Sequence, residues 1–475
     1  MKDGSCDLLI VGGGFAGLTA ACAASEAGLN VVVTEKNNYV GGSAAMSAGM
    51  IWCPSTYRQM RDYIPDGDED LQRLLCDRFA DSIAWLEDLG LPLLGEDAVG
   101  EIGRGRAMAI GASGDRRHFM GLFADLATRH GGRLLTATAT IAARPKPSGG
   151  YRATIRDKDG ERDLLAGAVV LASGGFQASK QLIAKYVGEP AVDALMLRTD
   201  PSCTGDGLKI ASQLGAAIKG RMDSFYGHTM PDINIPRGEL QRLTAYFARH
   251  AVAINKEGVR FADEGYGAFE ETLSQDGWKQ PNGVFFLIFD DRIYHSYGID
   301  QKITSAVPAM DRLERWRELG ASVYSATSLE NLAEQLQLAE KVPAEIFVRE
   351  ISQYNEFCRA AHGGSLQPGR SGNPLPISVG PFHAVRCRSS ISLTSGGIAV
   401  DGECRVLSSA GLPVEGLFAA GADVGGVFGR RFAGLMAWAL VSGRLAGVNA
   451  AMHVRSRFES NFSLIGPHRV VRVEC

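Results

Sequence analysis

Gly12, Gly14 and Gly17 have the spacing that lets a chain wrap a pyrophosphate, and Glu35 stands where a carboxylate would meet a ribose. The run Gly12-Gly13-Gly14-Phe15-Ala16-Gly17 follows directly on an apolar stretch, Asp7 to Val11, and opens an alanine-rich stretch that closes at Gly28. Gly12 permits the sharp turn, Gly14 lets phosphate oxygens reach the backbone, and Gly17 lets helix and strand pack closely. The first helical turn, at Phe15 and Ala16, offers unpaired N–H groups and positive partial charge. A second apolar run, Val31 to Val33, then delivers Glu35, 23 residues after Gly12, to the ribose hydroxyls. Strand, glycine turn, helix, strand and acid together are a dinucleotide site, which on these residues alone could take FAD or NAD.

The elements that must hold such a site need more than one small core. At 475 residues the chain is long enough for two or more cooperating units. Hydrophobic residues make up 45% and charged residues 21%, which excludes disorder, and the mean hydropathy of -0.03 leaves little room for several membrane spans. The balance of 49 basic against 53 acidic residues gives -4, which excludes a protein that binds nucleic acid by neutralising its backbone. The 58 glycines show no collagen-like period and point to many tight turns. Nine cysteines, scattered and odd in number, argue against a disulfide framework and for a reducing, cytoplasmic setting. The N-terminus has no basic leader, and the best apolar run near the C-terminus is interrupted by Arg444, so neither signal peptide nor membrane anchor is expected.

Further motifs carry a resemblance. Gly41-Gly42-Ser43 follows Glu35; Ala172-Ser173-Gly174-Gly175-Phe176 follows the apolar run Val169 to Leu171; then come Thr204-Gly205-Asp206-Gly207 and Gly416-Leu417-Phe418-Ala419-Ala420-Gly421-Ala422-Asp423. In this order they resemble the flavoproteins related to soluble fumarate reductase and 3-ketosteroid dehydrogenase, over nearly the whole chain. The resemblance implies FAD rather than NAD. It implies cofactor contacts from Lys36 beside Glu35, Gly41, Gly42, Ser43, Ser47, Ala172, Ser173, Gly174, Asp206, Gly421, Gly434 and Leu435, with Asp423 at the ribityl hydroxyls. The covalent members carry a histidine near the Gly-Gly step; Asn38, Tyr39, Val40, Ser43 and Ala44 offer none, so the FAD is expected to be non-covalent.

The relatives move a hydride between a substrate carbon and flavin N5 while a side chain transfers a proton at the neighbouring carbon. Where fumarate reductases carry their catalytic arginine, after a stretch like Asn255 to Glu264, this chain has Ala268, and Tyr266 falls near the tyrosine base of ketosteroid dehydrogenases. Ser392-Leu393-Thr394-Ser395 stands where fumarate reductases carry histidines, and Phe432 where they carry a clamp arginine. The run Gly41 to Pro54 is similar to the Gly-Gly-x-x-x-x-Ser-Gly-Gly-x-x-Trp-x-Pro run of ketosteroid dehydrogenases, departing at Ala48. These features favour desaturation of a carbonyl compound, a steroid or a smaller cyclic ketone or keto acid. Tyr266 would be the base, the backbone N–H groups at Gly434 and Leu435 would be donors to the enolate, and His228 would face the substrate. Arg431, one residue from Phe432, would be placed at the substrate by a one-residue shift and would then call for an anionic one. A reductase or dehydrogenase of fumarate-like or tricarballylate-like acids is the alternative, and a catalytically silent flavoprotein subunit the third reading. The electron acceptor is unidentified, and no metal cluster is expected: no His/Cys set has ligand spacing.

The expected fold is α/β: a Rossmann-like FAD-binding domain from both chain ends, residues 1–217 and 375–475, with an α+β cap inserted at 218–374. In the cap, strands are expected at Val252 to Asn255 and Phe285 to Asp290, and helices at Leu329 to Lys341 and Ala344 to Ala361. Pro368 to Pro374 reads as the return linker and His383 as a residue packed under the flavin domain. A helix is expected from Ala433 to Ala451.

Overall fold

The structure is a computed structural model that describes residues 4–99, 102–109, 116–129, 131–266, 270–299, 310–360, 365–372 and 374–464, the last seven of these by backbone only. Its larger sheet is built around β1 (Ser5–Val11), which pairs in parallel with β2 (Val31–Thr34) on one side and with the strand Gly160–Leu171 on the other. The C-terminal strand Pro413–Ala419 adds in parallel beside Gly160–Leu171, so both ends of the chain contribute to one sheet. Val31, Val32, Val33 and Val169 to Leu171 are all buried, which is why these strands read as unbroken apolar runs rather than alternating ones.

Helix α1 (Phe15–Glu26) buries every residue but the last, because the sheet covers one side and the long helix Leu435–Leu464 the other. Small residues permit that contact: a Cβ on Gly443 would lie 2.5 Å from the carbonyl oxygen of Ala16, and one on Gly447 would lie 2.4 Å from that of Ala20. The four-residue spacing on both helices places one row of small side chains against another. The segment Leu435–Arg457 is long and apolar enough to cross a membrane by length and composition, and 61% of its most apolar window is buried inside the protein. The helix starts at Leu435 rather than Ala433 because Gly434 holds a left-handed backbone, φ 73°.

A second sheet is centred on Phe382–Ile391, which pairs antiparallel with Val284–Asp290, itself paired with Val252–Asn255. Phe285, Phe286, Phe289, Phe247 and Trp316 fill a core of its own beneath helices Leu329–Glu340 and Ala344–Arg359. The central strand ends at Ile391 in the core of the first sheet, but it carries Phe382, Ala384, Val385 and Cys387 into this second core, past the return expected at 374. The turn-rich segment before 374 is tied into the same unit: Arg260 donates to the carbonyls of Pro368 and Gly369, and Ser371 Oγ donates to Asp263. His383 sits in the central strand of the cap sheet, hydrogen-bonded to Ser325 at 2.8 Å and packed on Phe289, and so is not under the flavin domain.

Candidate active site

One cavity of about 620 Å³ runs from the Gly12 turn to the cap sheet. At its first end it is walled by Gly12, Gly14, Phe15, Ala16 and Glu35, then by Gly41, Gly42, Ser43 and Ser47, and by Ala172, Ser173 and Gly174. Gly421 and Leu435 close that end from the C-terminal part of the chain. Three features of this wall fit an adenine dinucleotide. A Cβ on Gly14 would meet nothing within 4 Å, so the backbone there opens on free space. The N-terminus of α1 has no side-chain cap, which leaves its N–H groups to a phosphate. Glu35 is fixed by the backbone N–H groups of Gly13 at 2.9 Å and Asn37 at 2.8 Å, one to each oxygen, which leaves a lone pair on each for a ribose hydroxyl. Burial pushes the Glu35 carboxyl above its ordinary range, while the N–H groups of Asn37 and Gly13 oppose the rise.

Five of the residues expected to touch the cofactor do not reach this wall. Gly17 packs inward, where its Cβ would lie 1.9 Å from the Gly12 carbonyl oxygen. Lys36 and Asp206 pair with each other at 2.6 Å. Asp423 turns to Ser173, accepting from its N–H and its hydroxyl, and burial pushes its carboxyl up to about 7. Gly434 lies against Trp52, whose carbonyl oxygen an added Cβ would approach to 2.0 Å.

The other end is made by the cap and the loops that meet it. Trp52, Arg198, Tyr226, His228, Gln241, Tyr246, Arg249, His250, Ser392 and Phe432 line it. His228 is held with Nδ1 2.5 Å from Glu270 Oε1, both side chains buried, and desolvation pushes the imidazole below its usual range. The neutral ring thus donates Nδ1–H to the carboxylate and keeps a lone pair on Nε2. Tyr226 stacks on Phe432 with ring centroids 3.9 Å apart. The Tyr246 hydroxyl accepts from Arg198 Nη2 at 3.1 Å and donates to Gln241 Oε1 at 3.0 Å. Burial raises the phenol above its ordinary value, and the Arg198 guanidinium opposes that rise.

Tyr266 and Arg431 are not on the wall of this cavity. The Tyr266 ring is 40% exposed and lies under the Arg431 guanidinium at 3.8 Å. Arg431 also covers the ring of Tyr63 and donates to its carbonyl oxygen, so the pair braces the junction of cap and flavin domain. Ala268 lies outside the described residues. Tyr246, Arg198 and Gln241, which do line the cavity, carry no motif of their own in the sequence; the nearest signal is the segment Tyr226 to Thr229, which the cap sheet brings opposite them.

Behind Tyr63 lies Glu271, fully buried, with Tyr63 OH donating to it at 2.5 Å and its carboxyl pushed up to about 7, chiefly by burial. A raised carboxyl pKa means that the folded state holds the proton more tightly than the unfolded state. Its stabilising contribution is therefore complete below about 4.5 and is lost as pH climbs through about 7. Glu271→Gln keeps an acceptor for Tyr63 and removes that titration. The variant's unfolding midpoint should change less between pH 5 and 8 than the wild-type midpoint, by on the order of 2 kcal/mol. Parallel denaturant titrations at the two pH values check this, and equal slopes would rule Glu271 out.

Residues 7–434 match the FAD binding domain family. The chain belongs to that family. It is an FAD-dependent oxidoreductase. It is 29% identical to a Shewanella frigidimarina protein named "Probable fumarate reductase Ifc3", over 94% of this chain and 75% of that one. The open structure of a flavocytochrome c3 fumarate reductase superposes with a TM-score of 0.72 at 26% identity, covering 95% of this chain and 79% of its own. A 3-ketosteroid Δ1-dehydrogenase from Sterolibacterium denitrificans superposes with a TM-score of 0.73 over 96% of this chain and 100% of its own; at 19% identity that likeness shows the fold.

Proposed function

We propose that the protein oxidises a CH–CH bond next to a carbonyl in a small molecule held between the flavin and the cap, with Tyr246 in the proton-transfer role expected of Tyr266. The observation that carries this reading is the continuity of the cavity: one space joins the Gly12 turn to Tyr246 and His228. The wall from Gly12 to Ser47, with Glu35 and Gly421, would hold non-covalent FAD, which when bound would supply the acceptor for a hydride, and so for the two electrons of the C–H bond broken at the carbon next to the deprotonated one.

The chain's own groups account for the rest. The Tyr246 phenolate takes the proton from the carbon beside the carbonyl and becomes the phenol, with the Arg198 cation at 3.1 Å stabilising the phenolate that this requires. His228, neutral and oriented by Glu270, presents Nε2 as an acceptor that fixes a substrate hydroxyl or enol. Leu435 begins the C-terminal helix at the cavity wall, where unpaired N–H groups and the positive dipole end favour negative charge on a substrate oxygen. The Tyr226–Phe432 stack and Trp52 exclude water.

The test is anaerobic mixing of the FAD-loaded protein with saturated cyclic ketones and keto acids while the flavin absorbance is followed. Bleaching with at least one saturated carbonyl compound is the expected result. Inertness toward all of these, together with reoxidation of pre-reduced protein by unsaturated carboxylates, would replace the reading with that of a carboxylate reductase.

A further inference from the structure

Arg198 is 5% exposed and lines the cavity, yet every partner of its guanidinium is neutral. Nε donates to Thr244 Oγ1 at 3.0 Å, Nη1 to Ser392 Oγ at 3.1 Å, and Nη2 to the Gln241 carbonyl and the Tyr246 hydroxyl, the latter at 3.1 Å. Among the described residues no carboxylate lies within 4.0 Å of it, unlike buried Arg260, which meets Glu264 at 2.7 Å. A guanidinium carries five N–H donors. Four are used here, and the fifth, on Nη1, remains for whatever enters the cavity. A buried cation with no carboxylate in contact is costly unless a ligand supplies one, and a carboxylate matches a guanidinium edge better than any neutral group.

Near this cation the same cavity is lined by a stacked aromatic pair, Tyr226 and Phe432. Ser392 joins the two features: its Oγ accepts from Arg198 and its N–H donates to the carbonyl of Tyr226, which stacks on Phe432. The aromatic pair therefore begins one residue away from the anion seat. From this juxtaposition we propose that the substrate is a monocarboxylate, its carboxylate seated on Arg198 and a planar or cyclic apolar body lying against Tyr226 and Phe432. This deepens the reading above and rests on it for the chemistry, but not for the binding.

The experiment separates the two. The FAD-loaded protein is titrated with cyclohexanecarboxylate and with cyclohexanecarboxamide, and binding is read by calorimetry and by perturbation of the flavin spectrum, with no turnover required. The carboxylate should bind at least about tenfold more tightly than the amide, the gain of a charge-assisted bond over a neutral one. In Arg198→Gln the preference should vanish, and in Arg198→Lys part of it should return, with flavin content confirming that each variant is folded. Equal affinity for acid and amide in the wild type overturns the proposal whatever the variants do. So does an undiminished preference in Arg198→Gln, or a tighter fit for fumarate than for the monocarboxylate. Failure of every carbonyl compound to bleach the flavin, with the carboxylate preference intact, would remove the dehydrogenase reading and leave the anion seat standing.

Discussion

Gly17→Ala is expected to yield a protein that is colourless and strongly destabilised, whereas Gly14→Ala, three residues earlier, should fold normally and lose only the cofactor. The two glycines face opposite ways. A Cβ at Gly17 would stand 1.9 Å from the Gly12 carbonyl oxygen and 3.4 Å from an Ile10 methyl, so α1 would have to leave β1 and the turn would open. Backbone on both sides of the clash leaves no flexible side chain to yield, and α1 is also pinned by Gly443 and Gly447 behind it. The cost should be at least about 3 kcal/mol, at the upper end for overpacking, and the fraction of soluble protein should fall with it. At Gly14 nothing lies within 4 Å, so alanine meets no protein atom, but its methyl occupies the space from which the uncapped helix end faces the cavity. Loss of one or two charge-assisted backbone bonds to phosphate should weaken FAD about tenfold to a few hundredfold while the unfolding midpoint of the apoprotein stays within about 0.5 kcal/mol of wild type. Fluorescence titration of FAD and denaturant unfolding, run on both variants, decide the matter. Equal cofactor affinity in Gly14→Ala would mean that the pyrophosphate does not lie there.

What the sequence showed of this site follows from how local each part is. The flavin end is written in short segments whose geometry is set by neighbours in sequence: a turn at Gly12, a helix end at Phe15 and a strand end at Glu35, so glycine spacing and apolar runs suffice to place it. The cap end is assembled by long-range pairing. Arg198 follows a two-residue strand, Tyr246 sits in a short 3-10 turn, and Ser392 follows a strand of the cap sheet; only the pairing of Met196–Leu197 with Ser390–Ile391 brings the first and last together. No periodicity announces that. Tyr266 stands off the cavity wall for a related reason. Its Gly-flanked loop satisfied the spacing of the family, but Arg431 provides a cation face at 3.8 Å that holds the ring at the surface. Arg431 in turn is held away from the cavity wall by Tyr63, a residue no motif marks. Pro and Gly mark turns, and a turn-rich segment need not be where a chain changes domain. Here it is where Arg260 anchors a loop.

Replacing Tyr246 by Phe should lower the rate of substrate-dependent flavin bleaching by about a hundredfold to ten-thousandfold, the range for removal of a positioned proton carrier. The ring contacts survive the change, since His228 meets the Tyr246 ring edge to face at 5.1 Å and needs no hydroxyl. The bonds lost are those to Gln241 and Arg198, and Arg198 keeps Thr244, Ser392 and Gln241. A folded, yellow variant is therefore expected, and the loss should fall on the bleaching rate rather than on ligand affinity. The pH profile distinguishes a proton carrier from a mere brace. Burial raises the Tyr246 phenol above its ordinary value of 10.0, so the phenolate fraction grows tenfold per pH unit below that value. Desaturation by the wild type should accelerate with rising pH on that slope, and in Tyr246→Phe the acceleration should disappear. Tyr266→Phe is the control: a ring 40% exposed and stacked on Arg431 should give a rate within about twofold of wild type. The opposite pattern, with Tyr266→Phe slow and Tyr246→Phe unaffected, would mean that the loop carrying Tyr266 closes over the substrate during turnover, and that the proton path runs through that loop and not through the Arg198–Tyr246 pair.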